Sequence, residues 1–288
     1  MGERVSSRTG AGDVVVVVPT YNERENLPVL ARRLMALGGV ELLVVDDESP
    51  DGTGELAERL AARWPGRMRV LHRSGPRGLG RAYVDGLQAA LATGAPLVCQ
   101  MDADLSHDPA YLPDLVAAAA EFDLVIGSRY VSGVSVVHWP LRRILLSAAA
   151  NRYIRAVTGL HIRDCTGGFR CWRREALARL PLDRIRSDGY AFMVELLFEA
   201  ARRDCRIGEV PIIFVERRAG ASKVSRRVLV ESLLMPWRLR VRLLDDRLRR
   251  RVRGARRPPA GMREPEVVQP VLPPATPRVE RRVLLRYR

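Results

Sequence analysis

The sequence predicts an α/β domain with a mainly parallel sheet and helices on both faces. Between residues 13 and 129, short β-branched runs alternate with helical patterns, and the strand runs are apolar without interruption. Strand–helix alternation is typical of parallel pairing, and continuously apolar strands are typical of a sheet covered on both faces. Ligands bind such sheets beyond the carboxyl ends of the strands, so we expect the functional residues there.

Each predicted element rests on its own pattern: β-branched runs favour strands, and leucines three or four residues apart favour amphipathic helices. In chain order the predictions are strand Val14–Val18, a helix from Leu27 to Leu37, strand Glu41–Val45, a helix from Leu56 to Trp64, strand Met68–Leu71, helix Leu79–Leu91, strand Pro96–Met101, helix Tyr111–Ala120 and strand Asp123–Ile126. A helix-like segment follows between Tyr130 and Gly159, and a strand pattern returns over Ile207–Val215.

The C-terminal part differs in composition. Large apolar residues interleave with arginines from Val228 to Leu244, which predicts one or two amphipathic helices, interrupted near Pro236 because proline lacks the helical N–H donor. From Gly254 onwards prolines and arginines dominate, which predicts a disordered tail. We therefore divide the chain into a folded domain (11–225), an amphipathic helical segment (226–253) and a Pro/Arg-rich tail (254–288).

Composition narrows the class of protein. The 288 residues are 47% hydrophobic and 28% charged, as in a globular domain. The four cysteines show no metal-ligand spacing, which favours reduced thiols in the cytosol. The sequence shows neither a signal-peptide pattern nor a run of about 18 apolar residues, so we expect no membrane span.

The net charge of +15 is concentrated near the C-terminus, where 13 arginines stand against three glutamates between residues 247 and 288. Such a tail attracts phosphate on anionic lipid or on nucleic acid. A nucleic-acid-binding module is therefore one alternative, although no RNA or DNA motif accompanies the charge. We expect no nucleic-acid partner.

Acidic residues follow two of the predicted strands. Asp102 and Asp104 end a mostly apolar strand, and a divalent cation is a natural partner for two carboxylates so placed. Solvated loop aspartates are the alternative. Asp47, with Tyr21 and Glu23 after the first strand, offers the aromatic face and carboxylate acceptors that suit a nucleoside. The glycines of Gly75–Gly80 have the wrong order for a dinucleotide or P-loop motif and fit a turn that opens a helix.

Read together, these stretches resemble the family-2 glycosyltransferases, and within them the dolichyl- or polyprenyl-phosphate mannose synthases. The resemblance spans residues 14 to 225. It rests on the segments Pro19–Asn26, Val45–Thr53, Gly78–Tyr83, Met101–His107, Gly127–Tyr130, Asp164–Arg170 and Arg217–Lys223, in this order. It implies a GT-A fold and a catalytic domain over 11–225.

The resemblance also implies a role for individual residues. The residues implied to hold the guanosine of GDP-mannose are Pro19, Tyr21, Glu23, Val45 and Asp47. Those implied to surround Mg²⁺ or Mn²⁺ and the diphosphate are Asp102, Ala103, Asp104 and Ser106, with Asp102, Asp104 and Ser106 as the metal site. Arg217 and Lys223 would contact the donor phosphates. Arg129, Arg143 and Ser147 would grip a polyprenyl monophosphate acceptor. The implied catalytic residues are Asp104, Arg129, Arg217 and Lys223.

The expected activity is therefore transfer of mannose from GDP-mannose to a polyprenyl monophosphate with inversion. Another family-2 enzyme that uses a UDP-sugar, such as a polyprenyl-phosphate glucosyltransferase, is the alternative. The lipid acceptor implies a cytoplasmic protein that lies peripherally on the inner face of the membrane, attached through its amphipathic segment or through a separate membrane-anchoring subunit. A helix packed on the catalytic core or on a partner is the other interpretation of that segment.

Overall fold

The structure, a computed structural model, describes residues 13–185, 187–216 and 233–242. The strands are β1 Val14–Thr20, β2 Val40–Asp46, β3 Met68–His72, β4 Leu97–Gln100, β5 Leu124–Ser128, β6 Val136–Val137, β7 Arg170–Arg173, β8 Ile207–Pro211 and β9 Phe214–Val215. The α-helices are α1 Leu27–Met35, α2 Thr53–Ala61, α3 Leu79–Ala92, α4 Leu112–Ala118, α5 Leu141–Thr158, α6 Arg174–Ala178 and α7 Gly189–Ala201. A further helix covers 233–242.

The large sheet has seven strands in the order β3-β2-β1-β4-β7-β5-β8. Neighbouring strands run parallel, except that β7 is antiparallel to both β4 and β5. The predicted mainly parallel α/β architecture is confirmed. The reversed strand β7 was not predicted, because its four residues include two arginines and lack a long apolar run.

The sheet separates two hydrophobic cores. Val15 and Val17 of β1 point into the core shared with α3 and α7, and Val14, Val16 and Val18 point into the core shared with α1 and α4. Both faces of β1 are thus buried, which explains its five consecutive valines. The four cysteines are free and buried.

A second, two-stranded sheet lies beside the large one. The predicted strand Ile207–Val215 is divided, because the last hydrogen bond to the β5 side joins Ile212 N–H to the Ser128 carbonyl (3.0 Å), where β5 ends. The chain then pairs as β9 with β6. The Val215 N–H also donates to the Ser106 carbonyl (3.2 Å), so this small sheet is tied to the loop after β4.

The helix at 233–242 packs on the first core through Met235 and Leu239. The Tyr153 hydroxyl of α5 donates to the Leu233 carbonyl (2.6 Å), which joins the two helices. The predicted interruption near Pro236 is wrong for the described residues: the helix continues through it. Because proline has no backbone N–H, the helix passes this position without a donor there. The predicted tail 254–288 lies outside the described residues.

The helices of the described ranges are too short or too polar to cross a bilayer.

We expect Gly86→Ala to destabilise the protein. An added β-carbon would lie 2.5 Å from Val17 Cγ1 and 2.7 Å from Val45 Cγ2, so α3 would have to move away from β1 and β2. The free energy of unfolding should fall by about 1–3 kcal/mol, measured by urea denaturation. Gly38→Ala is the matched control, because nothing lies within 4 Å of its β-carbon position. Equal stability of the two variants would contradict the close helix–sheet contact.

Candidate active site

A cavity of about 490 Å³ lies at the edge of the sheet where β2, β1 and β4 end side by side. The residues predicted from the sequence that line it are Pro19, Tyr21, Glu23, Asp47, Asp102, Ala103 and Asp104. Because parallel strands expose their carboxyl ends at a common edge, residues 80 positions apart in the chain share one wall.

Val45 and Asp46 lie behind this wall. Val45 is fully buried in the first core and does not line the cavity. The Asp46 carboxylate accepts hydrogen bonds from Thr20 Oγ1 (3.0 Å) and Ser49 Oγ (2.6 Å). Asp46 therefore fixes the turn that presents Asp47.

Asp47 lines the cavity with its carboxylate held on both sides. Arg73 donates to one oxygen, and the Gly78 N–H donates to the other (2.8 Å). Arg73 is itself held by Asp85 through its Nε (2.6 Å). The carboxylate therefore has a fixed orientation at the mouth of β2.

Arg77 is a cavity residue that the sequence analysis did not single out. Its guanidinium carbon lies 5.1 Å from the centroid of the Tyr21 ring, and its Nη1 donates to the Tyr21 hydroxyl (3.1 Å). A second bond, to the Glu48 carbonyl (3.2 Å), links it to the loop after β2. The arginine and tyrosine together form a cation–π pair at this end of the cavity. An isolated arginine in a glycine-rich turn gave no sequence signal of this contact.

Asp188 is the second cavity residue that was missed. Its carboxylate accepts from the Gly189 N–H (2.8 Å), capping α7, and from the Gly80 N–H (2.6 Å). A β-carbon at Gly78 would overlap the Asp188 carboxylate, and one at Gly80 would lie 2.5 Å from the Ser187 carbonyl. The glycines therefore allow this loop to approach α3. An N-cap aspartate before an apolar helix was readable from the sequence, but its contact 108 residues away was not.

The loop after β4 holds the two predicted metal-binding carboxylates. Asp102 accepts from the Tyr83 hydroxyl (2.8 Å). Asp104 accepts from the Ser106 N–H (3.1 Å) and hydroxyl (2.5 Å), so Ser106 orients it. No three His, Cys, Asp or Glu side chains of the described residues form a metal-binding group. Two carboxylates with one hydroxyl nevertheless suit Mg²⁺ or Mn²⁺, which usually completes its shell with water and substrate phosphate.

A second, polar pocket of about 50 Å³ adjoins the first. Its lining residues are Asp102, Asp104, Ser106, His107, Arg129, Trp139, Arg143, Thr166, Gly168, Tyr190 and Phe214. Five of these also line the large cavity, namely Asp102, Asp104, Thr166, Gly168 and Tyr190. The carboxylates implied to bind a metal and the arginines implied to bind an acceptor thus face one small space.

Arg129 is buried in this pocket and paired with the fully buried Asp164. Its Nε and Nη2 donate to the two carboxylate oxygens (2.7 and 2.6 Å), and its backbone N–H adds a third bond (3.0 Å). Burial alone would raise the pKa of Asp164, but the Arg129 charge and hydrogen bonds lower it below its usual value. For the same reason the pKa of Arg129 is raised, so both groups are charged.

Arg143 reaches the pocket from the first turn of α5. Its guanidinium carbon lies 4.1 Å from the centroid of the Trp139 ring, and its Nη1 pairs with Glu216. Ser147, one turn further along α5, does not line the pocket: its hydroxyl accepts from Tyr130 (2.7 Å). Arg217 and Lys223 lie outside the described residues.

Comparison with known proteins agrees with this architecture. The family model described as "Glycosyl transferase family 2" matches residues 15–180. The chain is 46% identical over 243 residues to a polyprenol monophosphomannose synthase of Mycolicibacterium smegmatis, covering 83% of this chain and 91% of the relative. It is also 46% identical over 222 residues to an undecaprenyl-phosphate mannosyltransferase of Micrococcus luteus, covering 77% and 91%.

A solved structure shares the fold. Glucosyl-3-phosphoglycerate synthase from Mycobacterium tuberculosis, in complex with Mn²⁺, UDP-glucose and phosphoglyceric acid, superimposes with a TM-score of 0.57 at 24% identity, covering 78% of this chain and 79% of that one. This likeness supports the predicted GT-A fold.

We expect Asp164→Asn to lower the free energy of unfolding by about 3–5 kcal/mol at pH 7, because it leaves Arg129 buried without a counter-charge. The pKa of Asp164 is lower in the folded than in the unfolded protein, so its stabilisation is present above the unfolded-state value and is lost as the pH falls through the folded-state value. Urea denaturation should therefore show the difference between wild type and variant shrinking below about pH 4.

Glu58→Gln is the control for this variant. It removes a carboxylate from an exposed pair with His72, which should cost less than about 1 kcal/mol. A gap between wild type and Asp164→Asn that is as small as the control, or that grows on acidification, would contradict the assignment of Asp164.

Proposed function

The chain belongs to glycosyl transferase family 2, and we propose that it is a polyprenyl-phosphate mannosyltransferase that transfers mannose from GDP-mannose to a polyprenyl monophosphate. It is a glycosyltransferase by family, and the names of two relatives 46% identical to it supply the sugar and the acceptor class. The observation that carries the proposal is the wall common to the two pockets, which suits a sugar nucleotide on one side and a phosphate anion on the other.

The large cavity is the proposed donor site. Tyr21 offers an aromatic face, and the carboxylates of Glu23 and Asp47 can accept hydrogen bonds from base or ribose donors. Pro19 and Ala103 line the same cavity. We assign the guanosine to the end of the cavity beside Tyr21 and Asp47, and the diphosphate to the end beside Asp102.

Arg217 and Lys223 are proposed to contact the donor phosphates. Lys223 is the single lysine among 48 basic residues. A compact ammonium and a planar guanidinium are not interchangeable as phosphate ligands, so a lysine kept in an arginine-rich chain suggests a specific role.

Asp102 and Asp104 are proposed to hold Mg²⁺ or Mn²⁺, with Ser106 orienting Asp104. The bound cation would neutralise negative charge on the departing diphosphate.

The proposed reaction is a single displacement. A phosphate monoester is already ionised at neutral pH, so its oxygen attacks the sugar C1 without a general base. The new bond joins C1 to the acceptor phosphate oxygen; the bond from C1 to the diphosphate oxygen breaks, GDP leaves with the electron pair, and the configuration inverts. Arg129 and Arg143 orient the nucleophile. Ser147 supports the same face of α5 through Tyr130.

The lipid acceptor calls for a membrane-facing surface, which we assign to α5 and the helix at 233–242. These helices expose seven large apolar side chains, Leu141, Leu145, Leu146, Leu233, Leu234, Trp237 and Val241. The same helix α5 carries Arg143 into the small pocket, so a lipid headgroup bound there would lie next to the apolar surface. The proposed location is the inner face of the cytoplasmic membrane, with a separate anchoring subunit as a further means of attachment.

One assay tests the function directly. Purified protein is incubated with radiolabelled GDP-mannose, polyprenyl phosphate and Mg²⁺, and the organic phase is examined for labelled lipid. We expect a mannolipid from GDP-mannose and none from UDP-glucose. Product from the UDP-sugar alone would contradict the proposed donor and select the alternative activity.

Two substitutions test the assigned residues. Asp104→Ala should lower transfer by about 10²–10³-fold, because it removes charge stabilisation at the diphosphate.

Lys223→Ala should weaken GDP binding about tenfold, measured by calorimetry, because a charge-assisted hydrogen bond is lost. Asp13→Ala, at the opposite end of β1, is the control and should retain activity. Full activity of Asp104→Ala or unchanged GDP binding by Lys223→Ala would remove that assignment.

Vesicle binding tests the membrane-facing surface. The double variant Leu145→Glu, Leu146→Glu should lose at least about tenfold in binding to anionic vesicles, since each buried leucine contributes about 1.5–3 kcal/mol. The control Ala117→Glu, Ala120→Glu adds the same charge on exposed positions of and beside α4. Equal loss in both double variants would show that charge alone governs binding and would contradict apolar contact through α5.

A further inference from the structure

The small pocket has an unusual concentration of unsatisfied polar atoms. Among the described residues, the buried side-chain nitrogens without a hydrogen-bond partner belong to Gln100, His107, Trp139 and Arg155. Two of these four residues, His107 and Trp139, line the pocket of about 50 Å³. An unsatisfied buried polar group destabilises the protein, so a polar ligand that met both groups would recover that lost stabilisation.

Trp139 is held firmly in this place. Its ring lies against the Arg143 guanidinium at 4.1 Å, has Arg129 at 5.7 Å and meets the Phe214 ring edge-on, with centroids 5.4 Å apart. The preceding residue, His138, has a φ of +65°, a left-handed conformation that is unfavourable for a residue with a β-carbon. The backbone thus accepts strain immediately before Trp139.

The indole specifies the kind of partner. Trp Nε1–H is a donor only, so the missing group must be an acceptor. The pocket around it is lined by two arginines, which favour an anion over a neutral carbonyl. His107 differs from Trp139, because its Nδ1 lies 3.7 Å from the Asp102 carboxylate and therefore belongs to the acidic side of the pocket.

Both arginines of the pocket are paired with carboxylates, so a neutral N–H donor can add to the binding of an anion. Arg129 is paired with Asp164 and Arg143 with Glu216, so each guanidinium already shares its donors with a carboxylate. A phosphate monoester brings three terminal oxygens, each a strong acceptor. The two guanidinium groups, each already bonded to a carboxylate, leave phosphate oxygens without a donor. The unpaired Trp139 N–H can donate to one of them, and no carboxylate competes for it.

The geometry points to Trp139 as a third ligand of the acceptor phosphate, donating its indole N–H to a terminal oxygen beside Arg129 and Arg143. The inference rests on the proposed function and deepens it by adding a residue to the acceptor site. Trp139 would also hold the Arg143 guanidinium in place through the face of its ring.

Kinetics of Trp139→Phe test this role, since phenylalanine keeps a ring against Arg143 and removes only the N–H. We expect the KM for polyprenyl phosphate to rise about tenfold, the loss typical of a hydrogen bond to a charged group, while the KM for GDP-mannose stays within about twofold. Trp64→Phe is the matched control, remote from both pockets. An unchanged acceptor KM, or equal rises in both KM values, overturns the inference.

A spectroscopic measurement keeps the test independent of activity and of the folding of any one variant. Protein with ¹⁵N-labelled tryptophan gives four indole resonances, assigned by Trp→Phe substitution at each of the four positions. We expect the Trp139 N–H resonance to move downfield on addition of a short-chain polyprenyl phosphate in micelles. If the resonance does not move with polyprenyl phosphate, or moves with inorganic phosphate but not with polyprenyl phosphate, the assignment to the lipid acceptor is overturned. Failure of the proposed function would appear separately, as absence of mannolipid from the wild-type protein.

Discussion

The buried ion pair between Arg129 and Asp164 is the interaction on which the arrangement of the small pocket depends. The Asp164 backbone N–H donates to the Glu209 carboxylate (2.9 Å), which fixes the position of Asp164. Arg129 in turn accepts at its carbonyl from Ser135 (2.9 Å), at the start of the segment that leads to Trp139 and α5. A buried charge pair of this kind is costly unless its geometry is good, and here the Arg129 Nε, Nη2 and backbone N–H all donate to Asp164. This pair fixes a guanidinium in the wall of the pocket that we propose for the acceptor phosphate.

The large cavity, the proposed donor site, is organised by a different means, the close approach of backbone to backbone. Gly78 and Gly80 let the Asp188 loop pack on the start of α3, and Asp47 receives the Gly78 N–H from the same turn. The fully buried Arg170 supports the opposite wall by donating to the carbonyls of Gly167, Cys165 and Met193. Burial lowers the pKa of Arg170 to about 10, and it still carries its charge at neutral pH. The close contact at the glycines and the Arg170 hydrogen bonds thus both fix main-chain segments around the cavity without filling it.

The sequence was informative where a local pattern has a local cause. Runs such as Val14–Val18 and the aspartates after β4 determined the parallel strands and the edge at which the cavity lies. Contacts between distant segments escaped it: Asp188 with Gly80, Arg77 with Tyr21, and Trp139 with Phe214 depend on tertiary packing that no spacing encodes. Val45 shows the opposite case. The resemblance implied that it binds the nucleoside, but its side chain lies in the hydrophobic core. Arg217 and Lys223 remain predictions.

The reversed strand β7 has a consequence for how the site tolerates change. Because β7 enters the sheet against the direction of its neighbours, the residues before it, including Thr166 and Gly168, lie at the cavity edge and form part of the partition between the two pockets. Ladder bonds to β4 and β5 clamp this strand on both sides, and the Gly127 N–H holds the Phe169 carbonyl (2.8 Å). The partition is thus anchored in peptide groups, which mutation of side chains does not remove. Substitution of the lining side chains can therefore change what each pocket binds without changing the distance between the two pockets.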